Sequence, residues 1–209
     1  RVRGALQALG AEGGEGGPLD VLLVQFVSLW RGSEKVSMTT RGGQYVTLRD
    51  LRAEVGNDAC RFFYMQRKAE QALDFDLELA KSQSNDNPVY YVQYAHARVC
   101  SVLTQWGGDV GTLAAADLTP LAGERELALC GRLAAFPEIV ADAARDYAPH
   151  SIAFYLKDLA GDFHSYYNAE RILVDDEAQR TARLALVAAL RQVLRTGFNI
   201  LGVSAPESM

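Results

Sequence analysis

The chain has 209 residues and is 49% hydrophobic, which is enough to bury the core of one or two domains. A formal net charge of −5 and a pI of about 5.3 exclude a protein that attracts nucleic acid by overall positive charge. Any contact with RNA must therefore come from a local patch or from shape. The three cysteines fit neither a zinc site nor a disulfide framework, so we expect no metal and a reducing, cytoplasmic setting.

The beginning of the chain predicts a small α/β unit. Residues 11–18, AEGGEGGP, indicate a flexible surface loop. Residues 19–30 are nearly continuous in apolar β-forming side chains, which predicts a strand that turns at 31–34 into a second strand. The next stretch, SMTTRGG at 37–43, suits a mobile loop that offers hydroxyl donors and close backbone approach to an anion. On these seven residues alone, an ordinary connection between hairpin and helix is the simpler interpretation.

Three short helices are predicted after this loop. Thr47 followed by Asp50 matches a capping box and predicts a helix that ends at Gly56. A second helix is expected over 59–70. A third is expected over 73–81, because acidic residues lead that segment and a lysine ends it.

From Asn87 onward the sequence predicts a bundle of about five helices. Asn87 as the cap and Pro88 at the first helical position start a helix that should run to Trp106. Its apolar residues share one stripe and are expected in the core: Val92, Ala95, Val99, Val102, Leu103 and Trp106. Further helices are expected at 123–136, 137–147, 149–170 and 175–201.

One segment carries a resemblance to a known family. Residues 82–101, SQSNDNPVYYVQYAHARVCS, resemble the start of the anticodon-binding helical domain of bacterial arginyl-tRNA synthetases. The preceding DACRFFYMQRKAEQALDFDLELAK and the closing NILGVSAPESM fit the same family in order and spacing, so the resemblance covers essentially the whole chain. The chain opens at Arg1 rather than methionine, which indicates a processed chain or a fragment.

The resemblance implies the fold class and the domain organisation. The expected fold is mainly α, a helical anticodon-binding bundle preceded by a small α/β remnant of a Rossmann-type catalytic core. Residues 1–86 would be the C-terminal end of that core with its connecting helices, and residues 87–209 would be the helical anticodon-binding domain.

The resemblance also implies a use for the SMTTRGG loop. In this class of synthetase, a lysine-methionine-serine-lysine-serine loop closes on the phosphates of ATP, which binds with Mg²⁺. The matching positions here are Ser37, Met38, Thr39, Thr40, Arg41 and Gly43. Serine and threonine stand where the family pattern has its two lysines, so Arg41 is the loop's one fixed cation and the candidate for catalytic charge stabilisation.

The family's other ATP motif has no match in this chain. It needs two closely spaced histidines early in the fold, whereas the histidines here are His96, His150 and His164, all in the predicted helical half. The arginine pocket is likewise expected outside these residues. The chain alone is therefore expected to be inactive.

The bundle is expected to read RNA by stacking and by hydrogen bonds to base edges, which need little net charge. Tyr91, Tyr94 and Arg98 lie within about 60° on a helical wheel. The resemblance places the anticodon against this first long helix, the later helix junctions and the chain terminus. Further candidates for contacts are therefore Tyr166, Tyr167, Asn168 and Met209. Each tyrosine could instead simply pack at the edge of an apolar stripe.

Two functions remain open from the sequence. The first is the tRNA-binding part of an arginine–tRNA ligase, with tRNA(Arg), arginine and ATP as partners of the intact, monomeric, cytoplasmic enzyme. The second is a free-standing helical module that binds RNA or protein without catalysis. No apolar run reaches the roughly 18 residues of a membrane-spanning helix, so a membrane is not an expected partner. DNA is not expected either, because the net charge of the chain is negative.

Overall fold

The computed structural model describes residues 1–10, 19–36 and 45–209. In these ranges short helices and a three-stranded sheet precede a bundle of long helices, which confirms the mainly α class with a small α/β unit. The elements are α1 (Val2–Ala8), β1 (Val27–Arg31), β2 (Glu34–Lys35), α2 (Leu48–Val55), α3 (Asn57–Met65), β3 (Leu73–Asp76), α4 (Leu77–Lys81), α5 (Pro88–Trp106), a 3₁₀ helix (Val110–Ala115), α6 (Glu124–Arg145), α7 (Pro149–Ala169) and α8 (Glu177–Leu201).

The sheet has the order β2–β1–β3. β1 pairs antiparallel with β2, with Trp30 opposite Lys35, which confirms the predicted hairpin. β1 also pairs parallel with β3, with Val27 opposite Leu73, and α2 and α3 lie in the crossover between the two strands. The sheet therefore has the strand–helix–strand connection of an α/β unit.

The first strand is shorter than predicted. β1 begins only at Val27, and most of the apolar segment before it is exposed, with Phe26 at 88% and Leu23 at 80% of their full exposure. A strand needs a neighbour that takes up its backbone hydrogen bonds, and no strand in the described ranges pairs with this segment. Its apolar character is that of a strand buried on both faces.

The predicted helix over 73–81 is wrong in its first half. Residues 73–76 form β3, in which Leu73 and Phe75 are buried while Asp74 is exposed, so the side chains alternate as in a strand. The helix begins only at Leu77, because the side chain of Asp76 accepts hydrogen bonds from the next backbone N–H groups and caps it.

The first long helix follows the prediction. The Asn87 side chain accepts a hydrogen bond from the backbone N–H of Val89 at 3.3 Å, Pro88 occupies the first turn, and Gly107 ends the helix with φ of 71°. The predicted stripe is buried except for Trp106, which is half-buried.

The two helices predicted on either side of Pro137 are one continuous helix, α6. Leu129, Phe136 and Ala143 are buried at intervals of seven residues, so one face of α6 packs along α7 on both sides of the proline. This packing outweighs the hydrogen bond that Pro137 cannot donate. The described bundle therefore has four α-helices and one 3₁₀ helix rather than five helices.

α8 is long and apolar enough to cross a membrane by length and composition, contrary to the expectation that no segment reaches that size. In the structure it packs against α5, α6, α7 and the 3₁₀ helix, and Val187, Leu190 and Leu194 are fully buried. Its apolar composition is therefore explained by its place in the core.

The sheet unit and the bundle share a core. α3 packs against α5, α7 and α8, and Phe62 and Phe75 belong to the same buried cluster as Val92 and Phe163. The division of the chain at residues 86 and 87 stays a prediction.

Candidate nucleic-acid interface

A cavity of about 550 Å³ lies where the α2–α3 junction, the end of α4, the start of α5 and the end of the chain meet. Amide and hydroxyl side chains supply much of its wall: Asn57, Ser82, Gln83, Asn87 and Gln93. Tyr90 adds an aromatic ring and Met209 a thioether. The cavity therefore offers hydrogen-bonding groups beside flat, apolar surface, which is the combination that holds a nucleobase.

The wall of this cavity is held by buried amides. Asn87 is 3% exposed, and its side-chain N–H donates to the carbonyls of Ala80 and Ser82 at 3.2 and 2.7 Å. These bonds fix the end of α4 against the start of α5. Gln93 is also buried, and its Nε2 donates to Asp58 Oδ2 at 2.9 Å. The α3 and α5 sides of the cavity are thus connected by a direct hydrogen bond.

The C-terminal tail, residues 202–209, brings Met209 to the cavity. Gly202 ends α8 with φ of 66°, and a Cβ there would lie 2.6 Å from Arg61 Nε. The left-handed backbone favours glycine at this position. Farther on, the carbonyl of Pro206 accepts a hydrogen bond from His96 Nδ1 at 2.8 Å, so the tail follows α5.

An aromatic row with one arginine continues from the cavity along α5. Tyr90, Tyr94 and Arg98 are four residues apart, and the rings of the two tyrosines are stacked with centroids 6.2 Å apart. The Arg98 guanidinium lies 4.6 Å from the ring centroid of Tyr94 and 4.6 Å from that of Tyr167 on α7. This geometry is a double cation–π contact.

His164 on α7 orients this arginine. Arg98 Nη1 donates to His164 Nδ1 at 3.2 Å, and we assign the imidazole proton to Nε2, which lies 3.3 Å from the carbonyl oxygen of Tyr91. Burial lowers the pKa of His164, and the charge of Arg98 lowers it further. The imidazole is therefore neutral at physiological pH and acts as an acceptor for Arg98.

The contacts of Arg98 are two aromatic rings, a phenol oxygen and an imidazole nitrogen. Among the described residues, no carboxylate forms a salt bridge with Arg98, whereas Arg132 and Arg183 are paired with acids. Because the guanidinium contacts two rings, a phosphate at its N–H edge is the external partner that it suits.

Tyr91 faces another side of α5. Its ring packs against His164 with centroids 4.7 Å apart, and it lines a second cleft of about 520 Å³ with Asn85, Arg132 and Asp162. Tyr91 and Met209 therefore do not line the same cavity.

The other predicted contact residues are placed as follows. Tyr167 is half-buried against Arg98, and Asn168 is exposed near the end of α7. Tyr166 is fully buried, and its hydroxyl donates to Glu126 Oε1 at 3.4 Å. Tyr166 exposes no surface on which a base could stack, so the structure makes it a core residue rather than the expected contact for the anticodon.

The predicted ATP loop lies outside the described residues. It comprises Ser37, Met38, Thr39, Thr40, Arg41 and Gly43.

Sequence reasoning missed Tyr90, Gln93 and Asp58. The spacing of Tyr90, Tyr94 and Arg98 as i, i+4 and i+8 is a signal that was present in the sequence. The contact between Asp58 and Gln93 joins residues 35 positions apart, and no local pattern predicts it.

A helical bundle with an aromatic, amide-lined cavity beside an arginine free of salt bridges in the described structure defines a candidate RNA-binding domain. Comparison with known families agrees with this class. The chain belongs to the DALR anticodon binding domain family, whose model matches residues 92–209.

Curated relatives match the whole chain. The arginine–tRNA ligases of Azoarcus sp. (strain BH72) and Aromatoleum aromaticum are 69% and 66% identical to it over 209 residues. Each match covers 100% of this chain and 35% of the relative, so the chain spans about a third of the length of these relatives.

Solved structures share the fold. A provisionally assigned arginyl-tRNA synthetase from Campylobacter jejuni superposes with a TM-score of 0.83 at 28% identity, over 99% of this chain and 44% of that one. The arginyl-tRNA synthetase of Thermus thermophilus gives 0.70 at 30% identity, over 89% and 35%.

Proposed function

We propose that this chain is the tRNA-binding C-terminal portion of an arginine–tRNA ligase, and that its cavity receives the middle base of the anticodon. The observation that carries the proposal is the cavity itself, where Tyr90, Gln93 and Met209 meet beside the row that ends at Arg98. The family match and the relatives' names support the same function.

The middle anticodon base is the part that one pocket can read in every arginine tRNA. All arginine codons have guanine at the middle position, so all arginine tRNAs carry cytosine there, whereas the outer anticodon bases vary. In this proposal Tyr90 stacks on the cytosine, and the amide oxygen of Gln93, whose N–H groups donate to Asp58 and Ser204, faces the polar base edge. A wrong base leaves buried polar groups unpaired at a cost of about 1–3 kcal/mol.

Arg98 and Tyr167 then serve the neighbouring nucleotide. The guanidinium is positioned for a phosphate, and the rings of Tyr94 and Tyr167 contact it. Tyr91 and Asn168 remain candidates for contacts on the adjacent surfaces.

The intact enzyme would also bind arginine and ATP with Mg²⁺, and we expect it to act as a cytoplasmic monomer. Residues 1–86 are assigned to the end of its catalytic core and residues 87–209 to the anticodon-binding domain. The proposed ATP loop, with Arg41 as its fixed cation, would belong to the first of these. The chain alone lacks a match to the paired-histidine ATP motif, so we expect no aminoacyl-adenylate from it.

Fluorescence anisotropy at physiological salt tests this function. Labelled anticodon stem-loops with cytosine or uracil at the middle position are titrated with the full chain. The cytosine loop should bind at least about fivefold more tightly, the lower end of the polar mismatch cost. Tyr90→Ala should remove the preference, and Tyr45→Ala, which changes an exposed tyrosine before α2, should keep it. Equal binding of the two loops by the unmodified chain would contradict the proposal.

A further inference from the structure

Three hydrogen-bonded points fix the C-terminal tail. Arg61 Nε donates to the carbonyl of Leu201 at 2.8 Å, just before the tail begins. Ser204 is held by Asp58 and Gln93, and Pro206 is held by His96. Arg61 and Asp58 both belong to α3, so this helix supplies two of the points.

Asp58 accepts most of the hydrogen bonds at Ser204, the middle one of the three points. Its Oδ1 accepts from the backbone N–H of Ser204 at 3.1 Å, and its Oδ2 accepts from the Ser204 hydroxyl and from Gln93 Nε2. Gln93 Nε2 also donates to the Ser204 carbonyl at 3.0 Å. Asp58, Gln93 and Ser204 therefore form a closed network in which the carboxylate is the common acceptor.

The last residues of the tail depend on this network. In the described structure no hydrogen bond holds residues 207–209, although Met209 lines the cavity with Tyr90 and Gln93. The position of Met209 is therefore set by the points upstream of it. Loss of the Ser204 contacts would leave the bond between His96 and Pro206 as the one hydrogen bond that holds the described tail to α5 beyond the buried Val203, so Met209 would be less firmly placed.

We propose that Asp58 is a positioning residue for RNA recognition: by fixing Ser204, its carboxylate sets where Met209 closes the cavity. This inference rests on the proposed function of the cavity. It assigns to α3, which lies outside the residues matched by the family model, a part in the selectivity of the bundle. Asp58 also lines the cavity, but both of its carboxylate oxygens are engaged by Ser204 and Gln93, so its effect is assigned to the tail.

A double-mutant cycle tests this coupling. Asp58→Ala, deletion of Met209, and the two changes together are compared for the anisotropy preference between cytosine and uracil stem-loops. Each single change should remove most of the preference for cytosine, and the double variant should lose no more than either alone, because both act through one element. Asp146→Ala, an exposed acid at the end of α6, removes the same charge and should leave the preference unchanged.

A second readout does not depend on RNA. Carboxypeptidase should release Met209 faster from Asp58→Ala than from the unmodified chain or Asp146→Ala. Ser204→Ala, which removes only the hydroxyl donor and leaves α3 intact, should give a smaller change in the same direction and guards against misfolding of Asp58→Ala.

The outcomes separate the two proposals. If the unmodified chain does not prefer cytosine, the proposed function fails. If it prefers cytosine but Asp58→Ala keeps that preference, or if the two changes add, the positioning role of Asp58 is overturned. Unchanged release of Met209 from Asp58→Ala overturns it as well.

Discussion

Among single residues, Glu126 is a buried acidic side chain whose two carboxyl oxygens both accept hydrogen bonds. It is 3% exposed, and its Oε1 accepts hydrogen bonds from Arg183 at 2.8 Å and from Gln179 and Tyr166. Its Oε2 accepts from the backbone N–H of Gly123 at 3.0 Å. Burial is the main cause that raises the pKa of Tyr166, so the phenol stays a donor to this carboxylate. One side chain thus connects α6, α7 and α8.

Glu126→Ala should destabilise the chain by about 1–3 kcal/mol, because the buried Tyr166 hydroxyl loses its acceptor, whereas Arg183 keeps Glu170 and the carbonyl of Arg171. Urea unfolding followed by circular dichroism measures the difference. Glu124→Ala in the same helical turn is the control, since Glu124 is exposed. If both variants lost a similar free energy of unfolding, the hydrogen bonds of Glu126 would contribute no more than an exposed acidic side chain in the first turn of α6.

His96 provides a second prediction at this scale. Burial is the main cause that lowers its pKa below the ordinary 6.5, and the charges of Arg191 and Arg195 act in the same direction. The bond to Pro206 and the charge of Glu207 oppose the shift, and the buried thiol of Cys100 lies 3.8 Å from Nδ1. His96 Nε2 is buried without a hydrogen-bond partner in the described structure.

Because the folded-state pKa of His96 is depressed, the unfolded chain binds more protons below pH 6.5. The free energy of unfolding should therefore be constant above this pH and fall as the pH drops below it, and the depressed pKa of His164 adds to the fall. His96→Gln can still donate to Pro206, so urea unfolding between pH 7 and pH 5 should show a shallower decline. His150→Gln is the control. If the free energy of unfolding of His96→Gln fell with pH as steeply as that of the unmodified chain, the assignment to His96 would be contradicted.

Sequence periodicity placed the candidate contact residues on α5, and the structure distributes its tyrosines over two faces of that helix. Tyr91 and Tyr90 are neighbours on α5, yet Tyr91 packs on His164 and Tyr90 lines the cavity. The choice between them depends on where the tail returns, and that is set by Asp58 and Gln93 from distant parts of the chain.

At the scale of elements, two helical glycines differ in their surroundings. A Cβ at Gly197 on α8 would lie 2.6 Å from Leu156 Cδ2 on α7, whereas a Cβ at Gly131 on α6 would meet nothing within 4 Å. Gly197 therefore permits the close approach of α7 and α8, and Gly131 occupies an open helix surface.

Alanine at these two positions should have opposite effects on stability. Gly131→Ala should raise the free energy of unfolding by about 0.5–1 kcal/mol through helix propensity. Gly197→Ala should lower it by about 1–3 kcal/mol, because the added methyl overpacks the contact with Leu156. Thermal and urea unfolding of both variants give the comparison. A stabilising Gly197→Ala would show that α7 and α8 can separate without cost.

Helix ends were predictable from sequence where a cap is local. Thr47 with Asp50 and Asn87 with Pro88 each start a helix at the predicted place. Continuity across Pro137 and the strand at 73–76 were not predictable from local pattern, because the first depends on packing against α7 and the second on pairing with the distant β1.

For the whole molecule, the shared core predicts how a truncated chain behaves. A fragment of residues 87–209 keeps capped helices and should retain a helical circular dichroism spectrum. It loses the contacts of α3, including Phe62 and the bond from Arg61 to Leu201, so it should unfold at lower urea concentration than a fragment of residues 45–209. A largely unstructured 87–209 product would contradict the two-domain division.

In the proposed complex, the middle anticodon cytosine enters the cavity formed by Tyr90, Gln93 and Met209. Photo-crosslinking tests it most directly, with 5-iodocytidine placed at that position of an arginine anticodon stem-loop and the attached peptide identified by mass spectrometry. We predict attachment to Tyr90 or to the C-terminal peptide that ends in Met209. Attachment at the cleft beside Tyr91 and Arg132, or to α8, would contradict the claim.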